Sequence, residues 1–170
     1  PIPATPVPAR HAVYLLDRQG APQSEIRIGG IAPDRFSPDY HALQLTNSLL
    51  GGAFSARLNL NLREQKGYTY GAFSRVAMGK GYGNWMATAG VQSKFTLESL
   101  TEFRKEIEGM SGAIPLTAEE LRNMQNNLTR GYTQNFESND MVLGQLASLY
   151  SYDLPVSELE TYLTATTSQT

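Results

Sequence analysis

The residues most able to do chemistry lie in one run, 51–71, where a glycine-broken helix with a basic last turn meets the tyrosine-rich start of a strand. Its polar side chains of interest are Arg63, Tyr68 and Tyr70. A guanidinium is a permanent cation with a planar fork of donors, and a phenol is a neutral donor at neutral pH, so together they suit an oxygen that gains negative charge. The tetrahedral intermediate of peptide hydrolysis carries such an oxygen. Donors held ready for it, with water excluded, are worth about 3 kcal/mol each, on the order of a hundredfold in rate. The same residues also have a structural use. An arginine in a last helical turn complements the helix dipole, and a tyrosine opening a strand is a common half-buried residue. Tyr68 and Tyr70 stand two apart on a strand and share a face, so spacing alone does not choose between them.

Other chemistries find little footing. The two histidines, His11 and His41, are thirty residues apart, and His41 opens His-Ala-Leu-Gln-Leu with no glutamate or second histidine in register. There is no cysteine. We therefore read no metal site here, and each histidine as a packed or surface residue. Gly51-Gly52 follows a helix, whereas phosphate-binding loops follow a strand and open a helix. A net charge of −2 with both signs dispersed lacks the basic face that nucleic acid requires. No apolar run approaches the roughly 18 residues that span a bilayer, and no signal sequence opens the chain.

The elements that must position 51–71 follow from periodicity and caps. With 170 residues, 41% hydrophobic and 18% charged, the chain is long enough for one domain with a real core. Residues 1–10, prolines at every second or third position, read as a stiff interdomain linker, so that a targeting segment could lie upstream; 11–170 read as the domain. Residues 10–18 alternate as a strand buried on both faces, Val13 and Leu15 against Tyr14 and Leu16. After an Ala21-Pro22 turn, residues 24–31 form a second strand with Ile26 and Ile28 inward and Arg27 outward. Gly29-Gly30 there suits a bulge, or the close approach of another backbone. Ser37-Pro38-Asp39 starts a helix that runs to about Leu50, where Gly51-Gly52 ends it. Residues 54–65 repeat the pattern, with Phe54, Leu58 and Leu62 facing the core and Gly67 as the stop.

Residues 68–78 and 82–91 form a hairpin around Gly79-Lys80-Gly81, where glycine would take a positive φ and Lys80 a solvated tip. Thr96 caps a helix to about Met110 with Leu97, Leu100, Phe103 and Ile107 inward. Thr117 and Glu120 make a capping box ahead of Leu121, Met124, Leu128 and Tyr132. Further helices cover 140–150 and 155–162, and the polar 165–170 ends without a terminal element, as a truncated domain would. The fold class is α+β, an antiparallel, hairpin-rich sheet covered by helices.

In the wording Gly-Gly-Ala-Phe-Ser-Ala-Arg-Leu-Asn-Leu-Asn-Leu-Arg-Glu-Gln-Lys-Gly-Tyr-Thr-Tyr-Gly, and in element order from about Val13 to Leu163, the chain resembles the non-zinc, C-terminal domain of the insulinase-type (M16, inverted-zincin) peptidases. The resemblance implies that Arg63 and Tyr70, seven apart, are the catalytic and substrate-binding pair. They would bind the peptide carbonyl and stabilise the oxyanion at a zinc site carried by a partner domain. That domain, in the same chain or a second subunit, would bear H-x-x-E-H and the zinc. This fragment, lacking that motif, would bind no cofactor and cleave no peptide alone. The other reading the resemblance allows is a non-catalytic scaffold or assembly domain of the same fold. The Asp-Arg-x-Gly-Ala-Pro-Gln-Ser wording at 17–24 is similar to exported bacterial relatives and points to the cell envelope or periplasm.

Overall fold

The computed structural model describes residues 11–170. Its sheet has three strands in the order β1-β3-β2, with β1 Gln23–Ala32, β2 Thr69–Ala77 and β3 Gly83–Gln92, all antiparallel. The inner face is made of small and β-branched side chains: Ile26 of β1, Ala72 of β2, and Ala87, Ala89 and Val91 of β3 are all buried. Alanines along the middle strand let helices approach closely. Leu50, Leu58, Leu62 and Phe103 fill that space and make one cluster with the inner face.

Those four residues come from three helical pieces. Helix α1, Tyr40–Asn47, continues as a π-helical segment Ser48–Gly52. Helix α2, Arg57–Asn59, continues as a second π-helical segment Leu60–Gln65. Helix α3 spans Thr96–Met110. Beyond them α4, Ala118–Tyr132, packs Met124 on Leu45 and Leu49, and α5, Asn139–Ser151, and α6, Glu158–Thr167, complete the helical layer. The capping box forms as expected: Glu120 N donates to Thr117 Oγ1 and Thr117 N to Glu120 Oε2. No helix among the described residues is long and apolar enough to cross a membrane.

Several local expectations are corrected. Residues 11–18 join no ladder, and Val13 to Leu16 are 87–96% exposed instead of buried. Alternation records fitness to be a strand, not the presence of a neighbour, and β1 pairs on one side only, with β3. Arg10 and the expected linker 1–10 lie outside the described residues. Gly29-Gly30 makes no bulge, because the β1–β3 register runs unbroken from Gln23 opposite Gln92 to Ala32 opposite Gly83. The backbone that approaches closely is that of β3, as a Cβ on Gly29 would sit 2.9 Å from the Trp85 carbonyl oxygen.

At the hairpin tip neither Gly79 nor Gly81 has a positive φ. The 33–35 segment holds that loop instead, with Arg35 N donating to Gly79 O and Gly83 N to Pro33 O. Lys80 pairs with Asp153 at 2.7 Å. Helix α1 starts at Tyr40, two residues later than its cap signal, and its buried stripe is Leu45, Leu49 and Leu50. Phe54 precedes α2 and is exposed. Helix α3 is rotated from its expected stripe: Leu97 is 74% exposed, and Ser99, Phe103 and Glu106 face inward. The cause is polar, since buried Asn61 donates to Glu102 and Glu106 at 2.8 and 2.6 Å and turns that side of α3 toward α2. Residues 165–167 finish α6 instead of trailing off.

Candidate functional site

The run 51–71 has a buried side that locks it to the sheet and an open side that carries Arg63 and Tyr70. On the buried side Leu58 and Leu62 are fully enclosed. Asn59, also fully enclosed, donates to Phe54 O at 2.8 Å and accepts from Ala72 N at 3.3 Å, tying the turn before α2 to β2. Gly51 lies so close to β2 that a Cβ there would meet Ser74 N at 2.5 Å, which explains the glycine at that point. Arg57 fans out to Glu120 and to the carbonyls of Ile114 and Pro115, fastening the α3–α4 connection. That guanidinium, with help from the Thr117 backbone and hydroxyl, holds the Glu120 carboxyl at a pKa of about 2 despite partial burial.

Arg63 sits in the last turn of the second π-helical segment. Its carbonyl accepts from Gly67 N at 3.1 Å, and Leu62 O accepts from Tyr68 N at 2.9 Å. Gly67, at φ 67°, turns the chain here into β2, a left-handed conformation that glycine takes without a Cβ penalty. The Arg63 guanidinium lies over the Phe54 ring, 4.6 Å from its centroid, and is about a third exposed. Nη1 is 2.9 Å from Glu64 Oε1, but at an angle that makes no hydrogen bond, so this nitrogen has no acceptor. The contact with half-exposed Glu64 is electrostatic, and Nη1 itself is buried, so only the rest of the fork reaches the surface.

The strand that follows is irregular where it matters. Thr69 lies opposite Val91 and Ala72 opposite Ala89, so two residues of β2 stand where β3 has one, Gly90. This bulge contains Tyr70 and Gly71. Thr69 Oγ1 stabilises it, accepting from Gly71 N at 3.1 Å and lying within donating distance of Gly71 O and Gly90 O. Tyr70 is 91% exposed and its hydroxyl has no hydrogen-bond partner among the described residues. Tyr68 differs: its ring stacks on Phe95, centroids 4.5 Å apart and planes 25° apart. The two tyrosines thus differ in packing, Tyr68 being stacked and Tyr70 exposed. Bulges and π-helical turns are both over-represented beside functional sites, because each re-aims side chains by one residue. Arg63 and Tyr70 stand at the two ends of the 66–68 connection, with no hydrogen bond between their side chains.

Two partners of the pair were not singled out from sequence. Phe54 under the guanidinium, read as core, is a platform, and Asn59, whose burial among leucines goes unsignalled by apolar periodicity, fixes the strand that bears Tyr70. Of the histidines, His11 is exposed and His41 lies 3.5 Å from Glu158. No group of three or more metal-ligating side chains occurs among the described residues, so the residues present do not fit a zinc site.

Comparison with known proteins agrees with this architecture. No curated protein matches the chain. Among solved structures it is similar to a peptidase M16 inactive domain from Pseudomonas fluorescens, at 28% identity and TM-score 0.78, covering 87% of this chain and 35% of that one. It is similar to a protease from Helicobacter pylori, at 22% identity and TM-score 0.81, covering 90% and 37%. The periplasmic protease PqqL from Escherichia coli shares the fold at 21% identity and TM-score 0.70, covering 89% and 17%. The chain thus spans about a third of the length of the first two. The family described as the peptidase M16 inactive domain matches over residues 1–128, and the chain belongs to that family.

Proposed function

We propose that this domain supplies Arg63 and Tyr70 to a peptidase site completed by a partner domain. The partner, in the same chain or a second subunit, bears H-x-x-E-H and would contribute zinc as the source of the activated water. Arg63 binds the carbonyl of the peptide to be cut and Tyr70 donates to the oxygen as it becomes an oxyanion. The observation that carries this reading is the exposure of Tyr70 on a bulge, one short connection from a guanidinium that is about a third exposed and makes no hydrogen bond among the described residues. Among the described residues the guanidinium is held by the Phe54 ring and Glu64 alone. On this reading the domain alone cleaves nothing, and the assembled protein works in the cell envelope, a compartment suggested by the family likeness to a periplasmic protease.

The test is reconstitution. The domain is combined with an H-x-x-E-H domain that is inert alone, and cleavage of a fluorogenic peptide library is followed. Turnover by the pair, lost with Tyr70→Phe while zinc content is unchanged, supports the proposal. Zinc-dependent turnover that Tyr70→Phe and Arg63→Ala both leave intact, or no turnover with any such partner, points instead to a scaffold or assembly domain.

A further inference from the structure

Helix α6 is fastened unlike the rest of the molecule. Among its residues only Thr166 is buried, and the helix is held by polar and aromatic contacts to α1, α4 and the loop before α1. Glu158, at its start, shares one carboxylate oxygen between Arg35 at 2.6 Å and His41 at 3.5 Å, and all three side chains are largely enclosed. One turn on, the Tyr162 ring stacks on Tyr132, centroids 4.5 Å apart, and meets the His41 ring edge-on at 6.1 Å. Tyr132 donates to Leu159 O at 2.6 Å, and Gln125 donates to the carbonyls at the far end of the helix. Two cavities of about 240 and 200 Å³ adjoin these contacts, and Tyr40, His41 and Tyr162 line both. The seat of α6 is thus flanked by clefts and sealed by few apolar contacts, and regions with few buried apolar contacts open at low free energy.

We propose that α6 is an acid-released latch, with His41 as its sensor. In the docked state Nε2 faces Glu158, while Nδ1 is buried and has no partner. A neutral imidazole tolerates this, because the bare nitrogen is an acceptor. A second proton must go on Nδ1, where it has nothing to donate to, and a buried donor left unmade is costly. The charged and titratable groups facing the ring are Arg35 from the preceding loop, Tyr40 from its own helix, Glu158 and Tyr162 from α6, and Tyr132 from α4. The Glu158 charge favours the imidazolium, but Arg35 already occupies the same oxygen at shorter range and repels a second cation. Burial is the largest influence, and the net effect holds His41 below its ordinary pKa of 6.5. A lowered histidine pKa means that docking is fully stabilised above the unfolded value and weakens as pH falls below it. Release widens the two clefts and exposes the Tyr132–Tyr162 stack.

Amide hydrogen exchange across pH tests this, with protection corrected for intrinsic rate and α3 as internal reference. From pH 7.5 to 5.5 protection over Glu158–Thr167 should fall by about threefold or more relative to α3. His41→Gln should abolish that fall, and Glu158→Gln should lower α6 protection already at pH 7.5. The proposal is overturned if α6 and α3 lose protection in parallel, if His41→Gln keeps the fall, or if Glu158→Gln leaves α6 protected at neutral pH.

Discussion

The ground beneath Arg63 and the seat of α6 are opposite solutions to holding a helix. Under α2 the contacts are Leu58, Leu62, Phe103 and sheet alanines, with the Asn59 amide bonded to Phe54 and Ala72 and the Asn61 nitrogen to Glu102 and Glu106, and glycine where a β-carbon would collide. Under α6 they are a shared carboxylate, stacked phenols and two cavities. The difference teaches where the fold invests rigidity: beneath the run that carries the proposed pair, where a site would need a fixed geometry. A region anchored by apolar burial responds to volume, while one anchored by ion pairs responds to protons.

The sharpest way to break that comparison is to empty the rigid side. Leu62→Ala should cost roughly 2–5 kcal/mol, the range for a buried leucine whose site cannot collapse, measured by urea unfolding. A loss under 1 kcal/mol would mean that α2 is no better seated than α6. Next in size is the catalytic effect. In the reconstituted peptidase Tyr70→Phe and Arg63→Ala should each lower kcat by about a hundredfold, with folding and zinc content intact, because each removes a donor used mainly in the transition state. Their combination should lose less than the product, since both serve one oxygen. Tyr68→Phe, whose ring is packed on Phe95, should leave kcat within about twofold.

Smaller still is the Arg57–Glu120 tie. Because the Glu120 pKa is lowered from 4.5 to about 2, its contribution is present above pH 4.5 and lost as pH falls toward 2. Glu120 is partly exposed, so screening reduces the effect, and Glu120→Gln should cost about 1 kcal/mol at pH 7 and nothing at pH 2. Equal costs at both pH values would show that the capping bonds, not the charge, matter. At the bottom of the scale Lys80→Ala and Lys66→Ala, in surface ion pairs with Asp153 and Glu102, should change stability by no more than about 0.5 kcal/mol.

Most of the architecture was legible because local rules and tertiary packing agree. The hairpin, the capping box and the long helices fall where alternation, caps and 3.6-residue spacing put them. Where they disagree the reasons are particular. Val13 to Leu16 carry a strand pattern without a partner strand. The rotation of α3 is dictated by Asn61, and apolar periodicity is blind to a polar residue that organises a core. The π-helical segments leave no mark in the spacing of leucines. For the candidate site, the resemblance singled out Tyr70, whereas the exposure of Tyr70 and the packing of Tyr68 were not readable from spacing, because a bulge and the stacking of Tyr68 on Phe95 decide them.

The bulge in β2 also sets the rules by which this surface can change over generations. Removing Gly71 would leave Thr69 facing Val91 and restore unbroken pairing, with Ala72 still facing Ala89. Neither flank would slip, so the buried alanines and Val76 would keep their places. Chain length can therefore be altered by one residue at this point with no toll on the interior. A single codon lost here would redirect the tyrosine and leave the flanking register untouched, so on the proposed reading the bulge is the smallest mutational step that would turn the hydroxyl away from a substrate.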